Sequence, residues 1–293
     1  MKQSVPDRLF IAIVYIVLGL VTLAVLYPLY FVLIASISSP QLVLSGDIWF
    51  WPRDITWRGY EKLFENEEIM RGYGNTILYT VAGTAVNLAM TVAAAYPLSR
   101  RDFIGRNWIM GMMVFTMFFS GGLIPTYLLI KELGMLNTFW AMILPGAVSV
   151  WNIVLMRTFF QNGLPFELQE AASIDGCTNL RILWRIVLPL SAPILAVMVL
   201  FYSVGHWNAY FNALIYLSDR EIYPLQLILR EILVQGEMKD MVDVSEGSLS
   251  GSVLDVESIK YAIVIVANLP VLLLYPFLQK YFAKGVMVGA IKG

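Results

Sequence analysis

Leu9-Phe-Ile-Ala-Ile-Val-Tyr-Ile-Val-Leu-Gly-Leu-Val-Thr-Leu-Ala-Val-Leu-Tyr-Pro-Leu-Tyr-Phe-Val-Leu-Ile-Ala-Ser-Ile37 contains no Asp, Glu, Lys or Arg. A bilayer core ~30 Å thick is crossed by about 20 apolar residues in a helix. The stretch exceeds that length. It is too long for the apolar region of a signal peptide, and no small-residue cleavage site follows it, so it is read as a retained span. The rest of the chain agrees with a lipid environment. Of 293 residues, 58% are hydrophobic and 14% charged, with a mean hydropathy of +0.70. A soluble domain carries roughly 25% charged and about 45–50% apolar residues. The excess is too large for one buried core.

Five further stretches meet the length criterion, at about Tyr73–Leu98, Trp108–Ile130, Phe139–Phe160, Ile186–Leu217 and Ile259–Phe282. The expected fold is an all-α integral membrane protein of six transmembrane helices. Pro28, Pro125, Pro145, Pro189, Pro193, Pro270 and Pro276 fall inside these spans. Bundled membrane helices tolerate them because neighbours satisfy the freed carbonyls. Orientation follows the basic residues of the short loops. One side collects eleven of the 20 basic residues and five of the 21 acidic ones, and the other takes the remainder. The basic side, marked most clearly by Arg100-Arg101 directly after a span, is expected to be cytoplasmic, with both termini inside.

Two outer segments are too long for turns. Ser38–Gly72 carries Trp49, Trp51, Trp57 and Tyr60, which suit an interfacial belt. Ser218–Ser258 begins with Leu225–Val234, apolar at helical spacing and expected to lie along the membrane surface. Its second part, Gly236–Asp255, is polar and Gly/Ser-rich, disordered or ordered by a partner. The chain divides at this stage into residues 1–70, the first helix with its outer loop, and 71–293, a core with a cytoplasmic loop (161–185) and a C-terminal tail (283–293).

The cytoplasmic loop reads Pro165-Phe-Glu-Leu-Gln-Glu-Ala-Ala-Ser-Ile-Asp-Gly-Cys-Thr-Asn-Leu-Arg-Ile-Leu-Trp-Arg-Ile-Val-Leu-Pro189. Pro165 opens a helix at its first turn. Glu167 and Glu170 suit its positive end. Ala171 and Ala172 favour helix and leave no bulk, so another surface can approach. Gly176 can take the positive φ of a helix end. Leu180, Leu183, Trp184 and Val187 then lead back into the membrane at helical spacing. On physics alone, an amphipathic loop with a good helix start explains this as well as a docking element does.

The pattern is more specific than its physics. Glu170-Ala171-Ala172, Asp175-Gly176 and Ile186-Val-Leu-Pro189 at this spacing resemble the EAA signature of binding-protein-dependent ABC importer permeases. Asn75-Thr76, Ala95-Tyr-Pro-Leu-Ser-Arg100, Trp207-Asn208 and the tail Lys284–Gly293 extend the resemblance over roughly residues 70–293. It is nearest to the carbohydrate permeases of the maltose-importer type, within them the subgroup importing complex or acidic oligosaccharides such as alginate. The resemblance implies the type I importer permease fold and a bacterial cytoplasmic (inner) membrane location. It implies a second permease, two copies of a cytoplasmic ATP-binding subunit and an extracytoplasmic solute-binding protein as partners. Glu170, Ala171, Ala172, Asp175 and Gly176 would form the helix that docks on the ATPase, with Glu170 its charged contact and Gly176 its turn. The tail would also touch the ATPase pair.

The chain itself offers no motor. No Gly-x-x-x-x-Gly-Lys-[Ser/Thr] phosphate cradle occurs, and Gly285 and Gly289 do not make one. One histidine, His206, and one thiol, Cys177, make no metal site. Span interiors nearly free of Asp, Glu, Lys and Arg argue against proton coupling and intramembrane catalysis. No bound cofactor is expected, ATP and Mg residing on the partner, and no basic run points to nucleic acid. The spans do hold amides, hydroxyls and rings suited to a sugar: Trp151 and Asn152, then Tyr202, His206, Asn208, Tyr210 and Asn212. Interhelical bonding and interfacial anchoring account for any one of these better, whereas the fifth-span cluster taken together favours a pathway. Phe201, Gly205, Asn208 and Asn212 recur at helical spacing and are expected on one face. A non-transporting membrane scaffold and a passive channel are the alternatives.

Overall fold

The computed structural model describes residues 5–234 and 251–290. Among them there is no strand. The helices are α1 (Val5–Ser36), α2 (Pro40–Leu44), α3 (Arg58–Glu65), α4 (Glu67–Ser99), α5 (Arg106–Phe118), α6 (Leu123–Glu132), α7 (Phe139–Ile143), α8 (Val150–Asn162), α9 (Phe166–Ile174), α10 (Asn179–Ile182), α11 (Leu188–Leu190), α12 (Ala192–Trp207), α13 (Phe211–Tyr216), α14 (225–234) and α15 (Gly251–Ala290). A π-turn, Leu183–Val187, joins α10 to α11. Residues 251–255, expected in a polar loop, are the first turn of α15, whereas 235–250 lie outside the described residues.

Among the described residues, three helices are long and apolar enough to cross a bilayer by themselves: Asp7–Ser36, α4 and Glu257–Leu274. Two bent pairs qualify as units, α5 with α6 at 111° and Asn179–Leu190 with α12 at 82°, which makes up to five. The bends have local causes. Phe119 is extended and Gly122 sits at φ +88°, so the third apolar stretch cannot run straight. Pro193 lacks the amide that a continuous helix would need, and the chain breaks at Ser191 just before it. The stretch 139–160 is split as well. α7 ends at Ile143, Pro145 follows, and α8 restarts only after Ser149, whose hydroxyl accepts from the amide of Asn152 at 3.4 Å.

The chain forms two compact units, Met1–Glu67 with Leu229–Leu269, and Glu68–Ile228 with Pro270–Gly293. In the first unit, no residue of the most apolar stretch of α1 is buried within the chain. Ile34, Ala35 and Ser36 at its end are buried, and the Ser36 hydroxyl meets Tyr60 at 2.9 Å. Tyr27 donates to the carbonyl of Trp49 at 3.2 Å, and Tyr30 to that of Phe50, which holds the exposed rings of Trp49, Phe50 and Trp51 beside α1. That placement fits an aromatic belt. Gly59 lies so close to α15 that a Cβ there would stand 2.3 Å from the Ser258 carbonyl oxygen. Backbone gives little, so Gly59→Ala is expected to cost about 1–3 kcal/mol of stability, read as a lower unfolding temperature of the purified protein. An unchanged midpoint would refute this contact.

In the second unit, α4, α5, α8, α9, α10, the π-turn and α12 share one core. Ala95, Tyr96, Met110, Ile153, Met156, Phe160, Ala172, Ile182, Val187, Met198 and Tyr202 form its centre. Smaller clusters pack Tyr79 against Met142, Ala213 and Leu227, and Ile130 against Ala141 and Tyr216.

Candidate functional site

The loop after α8 turns at Pro165, which caps α9 with extended backbone. Gln169 and Ala172 are buried, whereas Glu170, Ala171, Ile174, Asp175 and Gly176 are exposed. The anchoring face and the free face of α9 are therefore distinct. The helix ends in a backbone lock. Gly176, at φ +76°, donates to the carbonyl of Ser173 at 3.1 Å, and Cys177 donates to that of Ala172 at 2.9 Å. This pair of bonds is the Schellman arrangement, which needs a left-handed residue at its turn. Glycine is required there by φ alone, because a Cβ would meet nothing within 4 Å. Thr178 then caps α10 by accepting from the Arg181 amide at 3.4 Å.

α9 is tied to the end of α4. Arg100 donates to Gln169 Oε1 at 2.8 Å and pairs with Asp102 at 3.0 Å. That hydrogen bond from the guanidinium holds the Asp102 carboxyl below the ordinary carboxylate range. Arg101 lies over the ring of Phe166, 4.5 Å from its centroid. Arg157 donates to the Leu98 carbonyl at 2.9 Å, and Tyr96 to that of Asn179 at 3.1 Å. The short helix is thus tied from behind to Arg100 and Arg101, directly after α4, with Glu170, Ile174 and Asp175 presented outward. Of the residues expected to dock, Glu170, Ala171, Asp175 and Gly176 are exposed and Ala172 is buried, and the sequence pointed neither to the outward Ile174 nor to the Arg100–Gln169 brace. Its only trace was Gln169 and Ala172 three apart, the spacing of one helical face.

The polar residues of the spans fall into two groups. Tyr202 is buried and its hydroxyl meets that of Thr91 at 2.6 Å. His206 Nε2 meets Asn87 Oδ1 at 2.6 Å, and Asn87 Nδ2 donates to the Gly146 carbonyl at 2.6 Å. With the Asn87 amide nitrogen committed to Gly146, its oxygen must accept, so His206 Nε2 carries the proton. The imidazole occupies the gap left by Gly83, where a Cβ would lie 2.4 Å from the ring. Asn152 is buried at the start of α8. Trp151, Asn208 and Tyr210 are exposed, and Asn212 is half-buried. The single face expected for Phe201, Gly205, Asn208 and Asn212 does not form. α12 stops at Trp207, Asn208 caps it, and Asn212 belongs to the separate α13. The cap is closed by the Asn208 side chain itself, which donates to the Val204 carbonyl at 2.9 Å. A side chain that competes with its own helix in this way ends the periodicity that the sequence alone would extend.

α4 carries a row of such groups. Asn75 donates to the carbonyls of Glu221 and Tyr223 at 2.7 and 3.0 Å, Tyr79 donates to that of Ile222 at 2.8 Å, and Thr76 accepts from the Leu225 amide at 2.8 Å. These bonds pair backbone groups of the irregular segment between α13 and α14 with side chains of α4.

Comparison with known proteins agrees with this architecture. Residues 85–288 match the family described as binding-protein-dependent transport system inner membrane component. The chain is 42% identical to the polygalacturonan/rhamnogalacturonan transport system permease protein YtcP of Bacillus subtilis, over 98% of this chain and 99% of that one. It is 39% identical to Protein LplC of the same organism, over 100% and 98%. A solved bacterial ABC transporter involved in the import of the acidic polysaccharide alginate contains a chain that superposes with a TM-score of 0.86 at 32% identity, covering 96% of this chain and 99% of that one. With a braced, outward-facing loop helix in an all-helical membrane fold, the chain belongs to the binding-protein-dependent transport system inner membrane components, as a permease subunit of an ABC importer.

Proposed function

We propose that this permease carries acidic oligosaccharides from an extracytoplasmic binding protein into the cytoplasm. In this reading it has six spans with both termini inside, pairs with a second, different permease, and rests on two copies of an ATP-binding subunit that hold ATP and Mg. The observation that carries the proposal is the construction of α9, a short helix with a rigid rear and a free acidic front. Such a helix can transmit a push, because the brace to Arg100 and the locked turn at Gly176 leave it no independent motion. Glu170 is its charged contact, Ala171 lets the partner approach, and Ala172 seats the helix in the core.

Two features support the class of cargo. The relatives include one tied to polygalacturonan and rhamnogalacturonan and one tied to the acidic polysaccharide alginate. In addition, α8, α12 and α13 contain no Asp or Glu, so an anionic sugar meets no like charge on them. Trp151, Asn208 and Tyr210 are exposed and Asn212 half-buried, and these are the residues proposed to meet the sugar. Tyr202 and His206 are bonded to Thr91 and Asn87 of α4 and Asn152 is buried, so these three are given a role in packing.

The test is uptake by vesicles holding the complete complex, with ATP inside and binding protein outside. Labelled oligogalacturonate or oligoalginate is expected to enter only with ATP, and a neutral oligosaccharide of equal length about tenfold or more slowly, the discrimination expected of a site built for a particular polar group. Entry without ATP would establish a passive channel, and a chain that co-purifies with no ATPase would establish a scaffold.

A further inference from the structure

Thr80 and Thr84, one turn apart on α4, carry hydroxyl oxygens that are buried yet find no hydrogen-bond partner among the described residues. Thr84 as a whole is only 9% exposed. Other threonines in these helices pair locally. Thr22, Thr76, Thr126 and Thr158 each donate to the carbonyl four residues back, at 2.7 to 2.9 Å. Thr91, further along α4, meets Tyr202. A buried hydroxyl without a partner forfeits the hydrogen bonds it would make in water, so each such group asks for an explanation.

Both threonines line one cavity of about 450 Å³ between α4, α12 and the part of α15 from Pro270 onward. Its walls are otherwise almost wholly apolar, among them Leu88, Val199, Val271 and Leu274, and no Asp, Glu, Lys or Arg borders it. Ser203 lines it from α12. The Ser203 hydroxyl donates to the Leu200 carbonyl at 3.2 Å and keeps its own oxygen as an acceptor. Ile77 and Val81, 46% and 66% exposed, mark the open side. Small-molecule sites are cavities of roughly 300–1,000 Å³, mostly apolar, with a few convergent polar groups.

We propose that this cavity binds a neutral amphiphile from the bilayer, an apolar body with one alcohol head placed at Thr80 and Thr84. Side chains four apart on a helix stand about 5–6 Å from each other. One oxygen that accepts two hydrogen bonds of about 2.7–2.8 Å each spans that gap. An alcohol oxygen accepts from both threonines, and its own hydrogen goes to Ser203. A purely apolar chain leaves both hydroxyls unpaired, and a charged head has no counter-charge in the lining. A sugar sets many hydroxyls against apolar walls. None of the residues proposed to meet the cargo lines the cavity, so the binding rests on neither the cargo nor the coupling role given above.

The experiment uses the complete transporter in nanodiscs and a dodecanol that carries a diazirine on its chain. Illumination is expected to label peptides of α4 and α12 that border the cavity, and excess plain dodecanol should suppress the labelling. The matching diazirine alkane, which has no oxygen, should label about tenfold less, the equivalent of one or two net hydrogen bonds. Thr80→Val with Thr84→Val keeps the shape and removes both hydroxyls, so it should weaken capture of the alcohol by a similar factor. Thr80→Ser with Thr84→Ser should keep most of it. Without probe, the thermal midpoint of the valine variant should be no lower than that of wild type, because valine leaves no unpaired hydroxyl. Equal capture of alcohol and alkane, or equal capture by wild type and the valine variant, overturns the site. Labelling that plain dodecanol does not suppress overturns the amphiphile in favour of bound water or a side chain of the second permease. A clearly lower midpoint in the valine variant overturns the premise that the two hydroxyls lack partners.

Discussion

Replacing Gly176 by proline together with Glu170 by alanine is expected to abolish ATP-driven uptake while leaving the complex able to hydrolyse ATP at its basal rate. Gly176 sits at φ +76°, and proline is held near −65°. The amide of Gly176 also donates to Ser173, and proline has none to give. Loss of that bond and of the left-handed turn costs about 3 kcal/mol or more locally. The strain falls on a loop rather than on the buried core, so it should unlock the C-terminal end of α9 without unfolding the bundle. Glu170→Ala removes the charge from the face presented outward. Uptake should fall about a hundredfold, the equivalent of that local cost at 1.4 kcal/mol per decade. Gly176→Ala alone is the graded control. Its Cβ meets nothing within 4 Å, so only the αL penalty of roughly 1–2 kcal/mol applies, and uptake should be reduced rather than lost. Wild-type uptake by the double variant would remove α9 from the coupling path.

The second large effect is expected at Gly83. A leucine there is a better helix former than glycine, so any loss reflects tertiary contact. Its side chain would claim the space of the His206 ring, 2.4 Å from where Cβ would stand. The imidazole must leave, and Asn87 then loses a buried partner at 2.6 Å. Overpacking of about 1–3 kcal/mol combines with the loss of an interhelical bond, which averages about 0.6 kcal/mol in membrane bundles. The thermal midpoint of the purified complex should drop clearly. His206→Ala in the Gly83→Leu background should recover part of the loss, because it empties the disputed volume at the price of the same bond. If the second change makes matters worse instead, Gly83 and His206 do not compete for space.

These two sites differ in how far they could be read beforehand. Gly176 was legible. A glycine after a run of helix formers marks a helix end by local rules, and the lock found there uses only residues 172–177. The pairing of Gly83 with His206 was not. His206, Tyr202 and Asn152 read equally as pathway or as interhelical contacts, since residue type does not reveal which partner a polar group will find. In the fold, His206 and Tyr202 are engaged with Asn87 and Thr91 on α4, at separations of 119 and 111 residues. Likewise nothing in the sequence tied Arg100-Arg101 to the loop helix. One of the two braces α9 through Gln169, and the other lies over Phe166.

The bends show the same division. Apolar length between Trp108 and Ile130 and between Ile186 and Leu217 is visible in the composition of each stretch. The turns of 111° and 82° within them are decided by Gly122, Ser191 and Pro193 acting with the surfaces against which each half packs. By itself the sequence determined that the chain lives in a membrane and where a helix-turn-helix segment follows an apolar stretch. Hydropathy, charge count and helix capping are sums over neighbouring residues, so they need no knowledge of the third dimension. Only the tertiary structure decided which polar groups are consumed by other helices and which remain free. That depends on distances between residues far apart in the chain, and in a membrane every buried donor must find such a partner or remain an open cost.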